Sequence, residues 1–351
     1  MPDPADNGYS MPAEWHPHTR CWMAWPCREA TWGDRLDAAR TATADVAKTI
    51  AAFEPVTIVA NPEDVAEVSL RAGTGVGTLP MAHDDSWLRD NGPTFVIDGR
   101  GGVAGVDWGF NAWGDKYQPY DRDAALAQAL LEHLDLPRYA APLILEGGSI
   151  HVDGEGTLLT TEQCLLHPNR NPDLDREEIE RLLKAHLGIE TVIWLGQGLQ
   201  DDETDGHVDN LACFARPGVV LALSSDDPED GNHAALQDNL ARLRAARDAK
   251  GRELEVIEVP QPARSDGDDG RRLSTSYINF YIANGGVVMP SFEDGKDEAA
   301  FDIVDRCFPE REVRQVPAID IVHGGGGIHC ITQQQPVGTL PAEAGPADDT
   351  A

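Results

Sequence analysis

Five side chains able to do chemistry stand far apart in the chain: Asp90, Glu146, His207, Asp209 and Cys330. Cys330 closes the run His323-Gly324-Gly325-Gly326-Gly327-Ile328-His329-Cys330. Consecutive glycines pack nothing and cost folding entropy, so such a run serves unusual backbone angles and close approach to the main chain. Gly326 and Gly327 are therefore candidates for the backbone that a substrate approaches. A thiol at the lip of the short apolar strand signal 328–331, beside glycines and a histidine, points to a nucleophile. Alone, Cys330 reads more simply as a small buried hydrophobe. The other four residues reverse that balance. His207 and Asp209 are two apart, which on a strand puts both on one face. Three carboxylates in one place repel unless a cation or shared protons fill the space between them. One candidate cation is a metal held by His207, Asp209, Glu146 and Asp90, although no H-x-x-x-H or H-E-x-x-H pattern supports it. The other is a planar guanidinium, whose N–H forks match carboxylates bidentately. Held between Asp90 and Asp209, its central carbon would face Cys330. Attack there requires a thiolate and protonation of a departing nitrogen, which His207, oriented by Glu146, can supply.

These residues meet only if the fold brings them together, and the chain repeats a unit of about 50–70 residues that would do so. Each copy has a polar or glycine-containing lead, a strand, a tight turn, a second strand, a helix and a third strand. Hairpins are expected at 93–97 with 103–108, 149–152 with 157–161, 208–215 with 219–223, and 277–282 with 287–289. Asp98-Gly99 and Asp153-Gly154 supply the strongest short hairpin signal to two of them. Helices are expected near 121–134, 173–187, 232–249 and 297–308, and third strands at 140–145, 191–195, 254–259 and 313–316. A fifth hairpin begins at Ile328 with little chain beyond Gln335. Its missing pieces are expected from the N-terminus: a strand at 22–26, a helix capped by Asp34 and running to about Phe53, and a strand at 56–60. About five ββαβ copies imply a closed, five-fold pseudosymmetric α/β propeller with its helices outside. This is one catalytic domain over 13–337, between disordered ends at 1–12 and 338–351, the second of them acidic. In such a ring the leads 87–92, 145–148, 204–210 and 327–330 converge on the axis, and with them the five reactive residues. The glycine-rich leads do not precede helices, as a dinucleotide or P-loop fingerprint requires.

Composition narrows the partners. The formal net charge is -32, with Lys48, Lys116, Lys184, Lys250 and Lys296 the only lysines. That argues against nucleic acid and anionic membrane, and would favour a small cationic substrate to the extent that salt does not screen it. The same acidity equally serves solubility or a salty cytoplasm. No apolar run approaches the roughly 20 residues of a spanning helix, and no signal peptide is visible. Six cysteines without a C-x-x-C pair read as reduced thiols of a cytoplasmic protein. Oligomeric state stays open, a homo-oligomer included.

At this point the motifs are recognisable. Met11-Pro12-Ala13-Glu14-Trp15, the run from Asp85 to Thr94, Leu145-Glu146-Gly147-Gly148-Ser149-Ile150, Asp205-Gly206-His207-Val208-Asp209, the run from Ser276 to Gly286 and that from Gly326 to Gln335 span nearly the whole chain. Together they resemble the agmatine deiminase branch of the guanidino-group-modifying enzymes, close to the bacterial-type peptidylarginine deiminases. The resemblance implies a pentein fold and hydrolysis of agmatine to N-carbamoylputrescine and ammonia, on the route to putrescine and the polyamines. It implies a covalent thiouronium on Cys330, a guanidinium gripped by Asp90 and Asp209, His207 as general acid and base, Glu146 binding His207 or substrate, and Trp87 as a pocket wall. It implies no cofactor and no metal. The family tends to have asparagine where Gly327 stands, and His323 is unusual at its position. The alternatives are a deiminase of arginine or peptidyl-arginine, an amidinotransferase and a metal-dependent amidohydrolase. Agmatine is favoured over arginine because Arg89 is the only basic side chain in the site motifs, and strand alternation would turn it away from the inward-facing Asp90.

Overall fold

The computed structural model describes residues 3–339. Its strands form five separate sheets, and four of them repeat one plan. In the first, β4 (Thr94–Ile97) pairs antiparallel with β5 (Val103–Gly109), which pairs parallel with β6 (Arg138–Ile144). The second joins β7 (His151–Val152), β8 (Thr157–Thr161) and β9 (Thr191–Leu195). The third joins β10 (Ala212–Arg216), β11 (Val219–Ser224) and β12 (Glu255–Pro260). The fourth joins β13 (Tyr281–Ala283), β14 (Gly286–Ser291) and β15 (Glu312–Pro317). Two hairpins turn by the same device. Asp98 Oδ1 accepts from the amides of Arg100 and Gly102, and Asp153 Oδ1 from those of Glu155 and Thr157, each at 2.8 Å. Glycines at 99, 101, 154 and 156 take the positive φ these turns need.

The fifth sheet is assembled from both ends of the chain. β16 (Thr332–Pro336) lies antiparallel to β1 (His18–Ala24), with Met23 opposite Thr332, and β2 (Val56–Ala60) and β3 (Val76–Pro80) follow in parallel. The N-terminal strand and helix therefore supply what the last repeat lacks, as the repeat pattern requires. The crossover helices are amphipathic. Arg176–Leu187 buries Ile179, Leu182, Leu183 and Leu187 on one face. Its first turn is a capping box, in which Asp175 Oδ1 accepts from Glu178 N at 3.0 Å and Glu178 Oε2 from Asp175 N at 3.1 Å.

Several expectations need correcting. Residues 3–12, read as a disordered end, are packed: Ser10 and Ile97 exchange two 2.9 Å backbone hydrogen bonds, Met11 N donates to Leu187 O, and the Met11 side chain is buried. A polar composition conceals this, because the attachment is made by backbone groups. At the other end Gly338 O accepts from Gly101 N; residues 340–351 of the expected acidic tail lie outside the described residues. The expected helix at 121–134 is two pieces, Asp121–Ala124 and Leu126–His133, and the helix from Leu36 to Ile50 starts without a side-chain cap from Asp34. The leads are not strand ends. They are single helical turns at Leu88–Asn91, Gly147–Ser149 and Val208–Asn210, and Cys330 lies in a turn two residues before β16.

Candidate active site

The helical turns at the leads aim their side chains into one buried centre. Asp90 is held by two fixed donors: Gly148 N reaches Oδ1 and the Trp113 indole N–H reaches Oδ2, both at 2.9 Å. Glu146 is fully buried, with Arg170 Nε donating to its Oε1 at 2.7 Å. Between the two carboxylates sits the equally buried His207. Its Nδ1 is 3.8 Å from Asp90 Oδ1 and its Nε2 is 3.7 Å from Glu146 Oε2, too long for hydrogen bonds. Asp209 Oδ2 meets His329 Nδ1 at 2.9 Å and accepts from the Cys330 thiol at 3.4 Å. Asn279 Nδ2 lies 3.3 Å from the same sulfur.

Both ring nitrogens of His207 and Oδ1 of Asp209 are buried with no hydrogen-bond partner. Unpaired polar atoms in a dry site cost free energy unless a ligand takes them up. Glycines keep that ligand's space open. A Cβ on Gly148 would lie 2.6 Å from His207 Nδ1 and 2.9 Å from oxygens of both Asp90 and Asp209. A Cβ on Gly326 would lie 2.6 Å from the Trp87 ring and 3.1 Å from Cys330 Sγ, and one on Gly327 would strike Asn279 Oδ1 at 2.4 Å. Gly326 thus borders the cleft, whereas Gly327 gives its space to Asn279. Above the thiol a narrow cleft is lined by Trp87, Asp90, Trp113, Tyr117, Glu203 and Gly326, among others. The Trp87 ring stacks on Trp32 with centroids 5.4 Å apart, and both indoles donate to Asp85.

The electrostatics follow from burial and neighbours. Burial and the Asp209 and Asp90 carboxylates push the Cys330 thiol well above its ordinary value. Burial opposes a charge on His207, yet the Asp90 carboxylate, Cys164 and Glu146 together overcome it and raise the imidazole well above its usual range. Burial would raise Glu146, but the Arg170 guanidinium holds it low. The two aspartates separate: burial raises Asp90, whereas at Asp209 burial is outweighed by the hydrogen bond and charge of His329 together with His207 and the Cys330 thiol, which lower it.

All five sequence candidates are brought together here, with Trp87 as a wall. The strand argument for His207 and Asp209 was wrong in form, since a 3₁₀ turn presents Asp209. Arg89 does avoid the cleft, but as part of a helical turn: it is buried against Glu14 Oε1 at 3.3 Å and Gln334 Oε1 at 2.8 Å. Sequence reasoning passed over Arg170, Trp113, Asn279 and His329. Asn279 and His329 lie inside quoted motifs; Arg170 and Trp113 carry no local signal. Among the described residues the one metal-type trio is Glu146, Cys164 and His207. Asp90 and Asp209 are outside it, and the Arg170 charge on Glu146 opposes a second cation there.

Five ββαβ modules around an axial thiol, imidazole and carboxylate cluster define an enzyme of the pentein class. A family model of the Porphyromonas-type peptidyl-arginine deiminases matches residues 10–336, and the chain belongs to that family. It is 50% identical over 337 residues to a putative agmatine deiminase of Legionella pneumophila, covering 95% of this chain and 96% of that one. It is 49% identical to an agmatine deiminase of Pseudomonas aeruginosa, covering 95% and 97%. A solved agmatine deiminase of Enterococcus faecalis superposes with a TM-score of 0.94 at 38% identity, covering 97% and 99%.

Proposed function

We propose that this chain is an agmatine deiminase, a hydrolase of the C–N bond of a linear amidine, and that residues 13–337 form its single catalytic unit. The observation that carries the substrate reading is the distribution of charge in the cleft. Asp90 and Asp209 flank the thiol, and among the described residues no lysine or arginine lines the cleft itself; Glu203 stands further out, its Oε1 paired with Arg271 Nη1 at 2.9 Å. Such a cleft suits a guanidinium at the bottom and an ammonium at the mouth. Arginine's carboxylate would lie beside Glu203, where the cations at the mouth, Arg271 and Lys116, are already engaged by Glu203 and Asp205.

In the reaction the guanidinium fits between Asp90 and Asp209, with its carbon over Cys330 Sγ. Its positive charge offsets the two carboxylates that keep the thiol protonated, so binding itself promotes the thiolate; the thiol's proton passes to solvent and is the one that converts the released ammonia to ammonium. The sulfur bonds to the guanidinium carbon, and the His207 imidazolium protonates the nitrogen that leaves as ammonia. A thiouronium remains on Cys330. His207, now neutral, takes a proton from water, whose oxygen adds to the same carbon; the C–S bond breaks, and N-carbamoylputrescine and the free thiol result. Glu146, fixed by Arg170, keeps His207 facing this carbon. A cytoplasmic place in putrescine formation fits the six free thiols and the absence, among the described residues, of a helix able to cross a membrane. The test is ammonia release from agmatine, arginine and a peptidyl-arginine ester at equal ionic strength. An unpaired carboxylate costs about 1–3 kcal/mol, so agmatine should lead in kcat/KM by roughly tenfold to a hundredfold. Equal rates on arginine would overturn the substrate reading.

A further inference from the structure

The motif Met11-Pro12-Ala13-Glu14-Trp15 has no part in the chemistry above, yet it delivers a carboxylate to the interior beneath the site. Glu14 is 3% exposed. Its Oε1 lies 2.8 Å from His329 Nε2 and 3.3 Å from Arg89 Nη1, and its Oε2 lies 3.6 Å from His151 Nε2. On the far side of the same imidazole, His329 Nδ1 lies 2.9 Å from Asp209 Oδ2, the oxygen that also faces Cys330 Sγ. The line therefore runs from Glu14 through His329 and Asp209 to the thiol. An imidazole with a carboxylate oxygen at each nitrogen is satisfied only when both nitrogens carry protons, because a neutral ring would turn a lone pair onto one of the carboxylates.

We infer that Glu14 holds His329 as a buried imidazolium, and that this cation is a positioning residue for the reaction. It locks Asp209 through Oδ2, leaves Oδ1 for the substrate guanidinium, and keeps Asp209 ionised beside the thiol. The other groups facing the pair are consistent with this. His151 accepts from Phe214 N on Nδ1 at 3.3 Å and turns its Nε2 to Glu14; His18 Nε2 donates to the Glu14 carbonyl; Arg89 is shared between Glu14 and Gln334. Asp90 and His207 lie beyond Asp209, across the substrate space. Burial and Arg89 oppose the His329 charge, and Glu14 with Asp209 still raises its pKa, while His329 and Arg89 hold Glu14 well below the carboxylate range.

The inference rests on the deiminase reading only for its kinetic arm. In full-length protein with 13C-labelled histidine, the resonance lost in His329→Gln, or shifted in the isosteric Glu14→Gln should the first variant not fold, is expected to report an imidazolium at pH 8. In Glu14→Gln it should lose its proton about one pH unit lower or more, equivalent to about 1.4 kcal/mol. A neutral His329 at pH 8 in the wild type would overturn the inference. With agmatine, His329→Gln should lower kcat/KM about tenfold or more and raise the acid limb of its pH profile by about a unit, since Asp209 loses its cation. Glu14→Gln should bring the alkaline limb down, and the double variant should be no worse than His329→Gln. Profiles that superimpose on wild type after scaling would reduce both residues to structural roles. Failure of the wild type to release ammonia from agmatine would sink the deiminase reading and leave the resonance test standing.

Discussion

At Gly148 three catalytic candidates meet within 3 Å of a missing methyl group, so a single carbon separates an open site from a blocked one. Gly148→Ala is expected to abolish agmatine turnover while the far-ultraviolet spectrum and the thermal midpoint stay close to wild type. Cys330 offers a sharper test. With its pKa raised by burial and two carboxylates, the free enzyme carries little thiolate at pH 8. Alkylation by a small neutral reagent should still be climbing above pH 9 instead of levelling near 8.5, the ordinary cysteine value. A plateau near that value would mean that the carboxylates do not control the thiol. Cys330→Ser should lose turnover and the acid-trapped adduct seen by intact mass. Asp90→Asn and Asp209→Asn each break a buried charge-assisted pair with substrate, a loss of about 3–5 kcal/mol, or a hundredfold and more in kcat/KM. An effect of only a few-fold in either would dissolve the two-carboxylate grip. His207→Gln, which removes proton transfer and leaves both grips, should act chiefly on kcat.

The elements do different work. The helical turns at the leads carry the reactive side chains beside single core residues such as Leu88 and Val208, whereas the crossover helices carry core and no chemistry. The capping box at Asp175 separates the two roles. Asp175→Ala removes a hydrogen bond to Glu178 N at the start of an outer helix, and should cost about 1 kcal/mol of unfolding free energy in denaturant titration. Agmatine kcat/KM should not move. A loss of activity at a temperature where the variant is fully folded would mean that the outer helices position the axis more directly than their packing indicates. Trp113 stands between the roles: it lies in a run of positive φ at 112–115, and its indole is fixed to Asp90. That backbone conformation is unfavourable for a tryptophan, which fits a turn shaped to aim one donor.

At the scale of the whole molecule, charge and the joining of the first and last strands matter. A net charge of -32 acts over distances that salt controls: the screening length falls from about 30 Å at 0.01 M to about 3 Å at 1 M. Over that range kcat/KM for dicationic agmatine should fall more steeply than for arginine, with its single net positive charge, while kcat stays nearly constant. Parallel salt slopes would assign the acidity to solubility alone. The first and last strands share one sheet, β16 against β1, directly next to the nucleophile turn. Met11 and Glu14 lie just ahead of β1, so the N-terminal segment completes the fifth sheet and reaches the site at once.

What could be read from the sequence was what repeats or what chemistry singles out. Asp-Gly hairpins, amphipathic crossovers and a truncated last repeat are local patterns, and from them the five modules and the completing role of the N-terminus follow. The reactive side chains recur at equivalent points of those modules, so Asp90, Glu146, His207, Asp209 and Cys330 could be gathered without coordinates. The tertiary structure decided the rest. Whether a four-residue lead is a strand end or a helical turn is too short a question for periodicity to answer, and the answer changed how Asp209 and Arg89 are presented. Arg170, Trp113 and Glu14 reach the centre from segments with no catalytic pattern of their own. Their partners lie 24, 23 and 315 positions away along the chain. Local spacing constrains only neighbours within a turn or a strand, whereas a buried charge is settled by whatever the packed ring sets beside it.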